Sequence, residues 1–312
     1  MMEKQNIEIN LITHNLVEQN LSNAVFAIRH KIINTGDTSE TTVTEQLNIL
    51  DQLTQFGFGQ CLITNRGITG SWTRHMVLYP KWRKEMPEVA ASLTPLNRWL
   101  LEKCPVILAT QERFIYFQKL LHENLKEGMT AMSIPCGLMD DLLTLNLCYL
   151  PSIKLIGIDL DEASILGAKE TAKKYNLEKL CNFIKLDAWQ LTLQNEANII
   201  TSNGLNFYQH DEEKVVELYR RIFLALKPKG VFITSFLTPP PSISDESPWD
   251  MNKINLADLR MQKIIMSDIL SVRFQAYRTE KQTIQQLTAA GFDNIKLLYD
   301  KAKLFPTIWC FK

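Results

Sequence analysis

Neither sign of charge is in excess in this chain: 34 Lys and Arg stand against 34 Asp and Glu in 312 residues. A nucleic-acid binder concentrates basic residues on one face, whereas the longest basic runs here, such as Lys81-Trp82-Arg83-Lys84, are short, so no nucleic-acid partner is expected. No apolar stretch approaches the roughly 18 residues that a membrane-crossing helix needs, so no membrane partner is expected either. The start, Met-Met-Glu-Lys-Gln-Asn, has an early acid and lacks the apolar core of a secretory signal, which predicts a cytoplasmic protein. The six cysteines are scattered, without a Cys-x-x-Cys pair or a histidine at zinc-ligand spacing. They read as reduced, mostly buried thiols, and no metal site is expected. Repeats and low-complexity segments are missing too. What remains, 46% hydrophobic and 22% charged residues, is a globular composition long enough for two domains or one large α/β domain with additions.

The texture changes near residue 128. Before it, helices alternate with polar breaks: Leu11, Leu16, Leu21, Val25 and Ile28 fit one helical face, and Val43, Leu47, Leu50 and Leu53 fit another, with a turn at Asn34-Thr35-Gly36-Asp37. A last helix from about Gln111 to Leu125 closes this mostly helical N-terminal domain, residues 1–125, which serves as a cap, substrate or oligomerisation domain. After Gly128, short apolar strands alternate with helices, the pattern of a parallel sheet covered on both faces. Strands are predicted at Met129–Ile134, Ile153–Ile158, Cys181–Ile184, Ala197–Ser202 and Val231–Leu237, with helices at Asp161–Lys174 and Asp211–Leu226. Pro239-Pro240-Pro241 halts the fifth strand and opens a helical insertion over about 239–277, too long for a plain connection. Two closing strands are joined by a turn, so the last should be antiparallel.

In an open α/β sheet the ligand lies beyond the carboxyl ends of the strands, which directs attention to the loop Ser133-Ile134-Pro135-Cys136-Gly137-Leu138-Met139-Asp140. Gly137 lets backbone approach a ligand closely, and Asp159 follows 22 residues later at the end of strand two, where a carboxylate can accept both hydroxyls of a ribose. These signposts and their order resemble a class I S-adenosylmethionine-dependent methyltransferase over about residues 111–312.

The resemblance implies a Rossmann-like, doubly wound, seven-stranded sheet with an antiparallel last strand, and S-adenosyl-L-methionine as cofactor with S-adenosyl-L-homocysteine as product. In the family's acid-x-Gly-x-Gly-x-Gly loop, Ser133 stands for the acid, Pro135 and Met139 replace the outer glycines, and only Gly137 matches. Asp159, followed by Leu160, matches the ribose-binding acid, and Asp187 with Ala188 the pair beside adenine. Asn203 and Leu205 lie in the loop after strand four, and Leu226-Lys227-Pro228-Lys229-Gly230 resembles the family's Leu-Lys-Pro-Gly-Gly turn. Arg113, upstream of strand one, is expected at the cofactor carboxylate.

A sulfonium carries an activated methyl group, so the protein chiefly aligns donor and acceptor and excludes water. His210, His75 and Tyr208 are the catalytic candidates: the imidazoles as bases, the tyrosine ring as a stabiliser of positive charge. The N-terminal region and the insertion are expected to form a partly apolar acceptor pocket, with Trp72, Tyr79, Trp249, Arg260, Tyr277 and Arg278 as walls. The expected partner is a small-molecule methyl acceptor, and a homodimer is the assembly considered. Two alternatives stand beside this reading: another adenosine-cofactor enzyme, and a scaffold that kept the fold after its cofactor loop degenerated.

Overall fold

The computed structural model describes residues 20–312. Leu11 and Leu16, placed on the first helical face, lie outside the described residues. Helix α1 runs Leu21–Thr35 and α2 Val43–Leu53, the latter opened by a capping box in which Thr42 and Glu45 satisfy each other's backbone N–H groups. Gly36, at φ 78°, ends α1 as the Asn34–Asp37 turn predicts. Helices α3 (Gly57–Asn65), α4 (Gly70–Glu85), α5 (Pro87–Ala91), α6 (Pro95–Glu102) and α7 (Pro105–Asn124) follow. Proline at the first position of α5, α6 and α7 starts each helix where its missing N–H costs nothing.

Strands β1 (Thr130–Ser133), β2 (Lys154–Asp159), β3 (Cys181–Lys185), β4 (Ala197–Ser202), β5 (Leu226–Ser235), β6 (Asp293–Leu298) and β7 (Thr307–Phe311) form one sheet in the order β3-β2-β1-β4-β5-β7-β6. The first five are parallel, and β7 runs antiparallel to both neighbours, as expected. Order reverses between β1 and β4, which makes the β1 end the switch point. β5 begins at Leu226, so the Lys227–Gly230 turn opens the strand as an irregularity opposite Ala197 and Ile199.

Helices α8 (Asp140–Leu143) and α9 (Glu162–Lys174) cover one face of the sheet with α7. On the other lie α10 (Glu212–Ala225) and α12 (Glu280–Ala290). The inward stripe of α10 is Val215, Leu218, Tyr219, Ile222 and Ala225, all fully buried. Each large apolar member stabilises the fold by about 1.5–3 kcal/mol through removal from water. Asp211, read as the helix start, is the N-cap and accepts from Glu213 and Lys214 N–H.

A third core lies above the strand ends. It joins the N-terminal helices to the insertion, which contains α11 (Leu256–Lys263) and a wider helical turn at Ile264–Ile269. Polar contacts sew the two together: the Arg66 guanidinium donates to the Leu270 and Ser271 carbonyls, Trp99 Nε1 to Asp258 at 2.6 Å, and Val106 N–H to Gln262 at 2.7 Å. Arg260 donates to the Glu40 carbonyl. No helix among the described residues is long and apolar enough to cross a membrane.

Candidate functional site

Between this cap and the sheet lies a cavity of about 200 Å³. Its floor is Ser133, Pro135, Gly137 and Asp159 from the loops after β1 and β2; its sides come from the start of α4, from α7 and from the insertion. A narrower cavity of about 30 Å³ adjoins it, lined by Leu160, Asp187 and Ala188, and the two share Pro135, Asp159 and Leu205. Arg113, Ser133, Pro135, Gly137, Asp159, Leu160, Asp187, Ala188, Asn203 and Leu205, singled out in the sequence, therefore all line one or both cavities.

The β1 loop owes its shape to two residues. Gly137 sits at φ 51°, and its N–H donates to Asp159 Oδ2 at 2.8 Å. Gly70, at the start of α4, lies so near that an added Cβ would meet the Gly137 Cα at 3.5 Å. Met139, which replaces an outer glycine, turns away from the cavity: it is fully buried, and its sulfur packs beneath Gly157 on β2. The Asp159 Oδ1 accepts from Asp161 N–H at 2.9 Å, and Leu160 N–H also donates to this carboxylate. Burial pushes this carboxyl above its ordinary range, against the pull of the N–H donors.

Sequence reasoning looked for an acid at position 133 and found serine. The carboxylate comes instead from Asp141, eight residues on, at the start of α8. Its Oδ2 accepts from Thr201 Oγ1 at 2.6 Å and Ser133 Oγ at 3.1 Å, and its Oδ1 from Leu142 N–H at 3.0 Å. Burial raises this carboxyl as well. The signal in the sequence was the pair Asp140-Asp141 directly after the loop; only the fold separates their roles. Asp140 takes the Arg74 guanidinium at 2.8 Å, and Arg74 also donates to Thr171, which ties α4 to α8 and α9.

At the other end, above β5 and β7, the chamber is apolar: Phe114, Phe207, Phe274, Phe305, Val106 and Met266 line it. Arg113 enters from α7, its guanidinium 4.1 Å from the Phe305 ring centre and 5.6 Å from that of Phe207, with Nη1 3.4 Å from Ser235 Oγ. Burial pulls it down to about 9, which leaves it charged at neutrality.

Of the catalytic candidates only Tyr208 lines the cavity, and burial pushes its hydroxyl far above the ordinary tyrosine value. His210 is exposed beyond the β4 loop, and His75 packs between Trp72 and Trp82, where burial lowers it. Neither of these two histidines lines the cavity. None of the expected walls lines the cavity: Trp72, Tyr79, Trp249 and Tyr277 pack in the core of the cap, Arg260 is exposed on α11, and Arg278 is buried behind the β4 loop. Arg278 is fully buried, donating at 2.6 Å to the Asn206 and Gln209 carbonyls and pairing with Glu212 at 3.1 Å.

Residues 125–295, more than half of the chain, match the family model of a methyltransferase domain. The solved structure of a possible exported protein from Bordetella parapertussis is 37% identical, covers 94% of this chain and 95% of its own, and superposes with a TM-score of 0.87. The ribosomal protein L11 methyltransferase of Dictyoglomus thermophilum is 26% identical over 144 residues, 46% of this chain. The chain spans 44% of that relative's length. A SAM dependent methyltransferase from Aquifex aeolicus is 17% identical, over 62% of this chain and 88% of that one, with a TM-score of 0.44.

Proposed function

The chain belongs to the methyltransferase-domain family, and from that premise we propose that it transfers the methyl group of S-adenosyl-L-methionine to a small organic acceptor held under the helical cap. The observation that carries the reading is the joining of two buried carboxylates, Asp141 and Asp159, to one cavity across the Gly137 loop. The residues present fit the cofactor. Two carboxylates raised by burial gain from a cationic ligand, Asn203 Oδ1 is buried without a partner, and Met139 leaves the space open.

When bound, S-adenosyl-L-methionine supplies a methyl group already activated as a sulfonium. In this reading Asp159 accepts the ribose hydroxyls, Asp141 takes the ammonium of the amino-acid end, and the narrow cavity at Asp187 and Ala188 receives adenine. Ser133 and Thr201 hold the Asp141 carboxylate in place. The cap residues from α4, α7 and the insertion exclude water and align the acceptor, the main tasks left to the protein. A cytoplasmic location belongs to the reading, since all six cysteines are free thiols. A protein acceptor, as the name of the Dictyoglomus relative has it, is less favoured because the acceptor end is an apolar chamber beneath the helical cap.

Calorimetric titration of S-adenosyl-L-methionine into wild type and Asp159→Ala tests the proposal. Loss of the ribose hydrogen bonds is expected to weaken binding by about 1.5–3 kcal/mol, roughly tenfold to a hundredfold. No saturable binding to well-folded wild type would sink it. One observation favours a second reading, a protein that binds the cofactor without turnover: no histidine among the described residues lines the cavity. Release of S-adenosyl-L-homocysteine with any acceptor excludes it.

A further inference from the structure

The acceptor end of the cavity holds a charge that the protein itself does not neutralise. Arg113 is 95% removed from solvent by its 5% relative exposure, yet it forms no ion pair among the described residues. Its one hydrogen bond is the long contact to Ser235, and its Nε is buried without a partner. Asp300, the carboxylate that acts on it from beyond ion-pair distance, accepts from the N–H groups of Ala302, Leu304 and Phe305. The Phe305 and Phe207 rings stabilise a cation, but they do not replace a counter-ion. A buried guanidinium left in this state is costly unless a ligand supplies the missing anion.

The position of the group separates it from the cofactor carboxylates. Its contact is Ser235 at the end of β5, and β4 lies between β5 and β1, so it stands about two strand spacings, roughly 10 Å, from the Ser133–Gly137 loop. The cavity thus has an acidic end, with Asp141 and Asp159, and an apolar end with a single cation. Resting on the methyltransferase reading, we propose that Arg113 anchors the acceptor, and that the acceptor is a small apolar carboxylic acid bound as its anion. A flat carboxylate matches the guanidinium fork, and one cation balances one negative charge; a dianionic phosphate would leave charge unmet in an apolar chamber.

The test uses the full chain saturated with S-adenosyl-L-homocysteine and compares 2-naphthoate with uncharged 2-naphthalenemethanol by calorimetry, with benzoate and octanoate as smaller and flexible carboxylates. Naphthoate is expected to bind at least about tenfold more tightly than the alcohol. Arg113→Met is expected to erase that preference, and Arg113→Lys to keep part of it, with S-adenosyl-L-homocysteine binding reporting that each variant is folded. Equal binding of acid and alcohol to wild type overturns the proposal, and so does failure of all three carboxylates to bind. A preference that survives in Arg113→Met overturns it too, including the case in which that variant loses S-adenosyl-L-homocysteine instead and so assigns the residue to the cofactor. If S-adenosyl-L-homocysteine does not bind wild type, the methyltransferase reading falls by itself. The acid-against-alcohol comparison on the unloaded chain then still decides the role of Arg113.

Discussion

Arg113 and Arg278 are two buried arginines within one molecule, and their surroundings differ in kind. Behind the β4 loop, Arg278 is met by backbone carbonyls at Asn206, Gln209 and Ala276 and by the Glu212 carboxylate. Beneath the cap, Arg113 is met by two aromatic faces and a distant hydroxyl. The first region spends its cation on holding a loop; the second leaves its cation turned to a chamber. Burial of a charge does not by itself mark a site, because the account of its partners decides whether the charge stabilises the fold or awaits a ligand.

The contrast breaks most visibly at Arg278. Arg278→Met leaves buried carbonyls at Asn206 and Gln209 without donors and is expected to destabilise the protein by about 3 kcal/mol, read as a lower urea midpoint. A change within error would mean that the loop holds itself and that the two arginines do not differ as described.

A smaller effect is expected at the satisfied acids of the cofactor end. Asp141→Asn should weaken S-adenosyl-L-methionine binding about tenfold, since a charge-assisted contact to the ammonium becomes a neutral one. Its stability effect has the opposite sign. The folded carboxyl titrates above its ordinary 3.8, so its contribution to wild-type stability is fully present below about that pH and is lost as pH rises through the raised value. Asparagine does not ionise, so relative to wild type the cofactor-free variant should gain stability as pH rises across that window. Thermal melts from about pH 4 to pH 8 check the trend; a flat difference would show that hydrogen bonds cancel the burial.

The smallest effect is expected at His210. It is exposed and outside the cavity, so His210→Ala should leave stability within about 0.5 kcal/mol and cofactor affinity unchanged. A loss of methyl transfer in that variant would return the base to the β4 loop.

Much of the sheet was legible because its causes are local. Runs such as Lys154–Asp159 and Ala197–Ser202 are short, apolar and bounded by breakers, and α10 shows a helical stripe with acids at its start. The cofactor end was legible for a related reason: Gly137 and Asp159 act at the ends of strands, where position along the chain fixes position in space. The acid that replaces position 133 was not legible, because Asp141 reaches its place only through hydroxyls on β1 and β4. The cap walls escaped for the same reason: Met76, Ile107, Met266 and Phe305 come from well-separated parts of the chain.

By itself, the sequence determined the order of strands and helices, the switch-point loop and the carboxylate after β2, since hydrophobic period, turn residues and strand ends are properties of neighbouring residues. Only the tertiary structure decided which of two adjacent aspartates pairs with Arg74 and which takes the Ser133 and Thr201 hydroxyls, which of two buried arginines lacks an ion pair among the described residues, and that Met139 turns into the core. Those outcomes depend on which distant groups arrive to satisfy each polar atom, and packing of the whole chain alone settles that account.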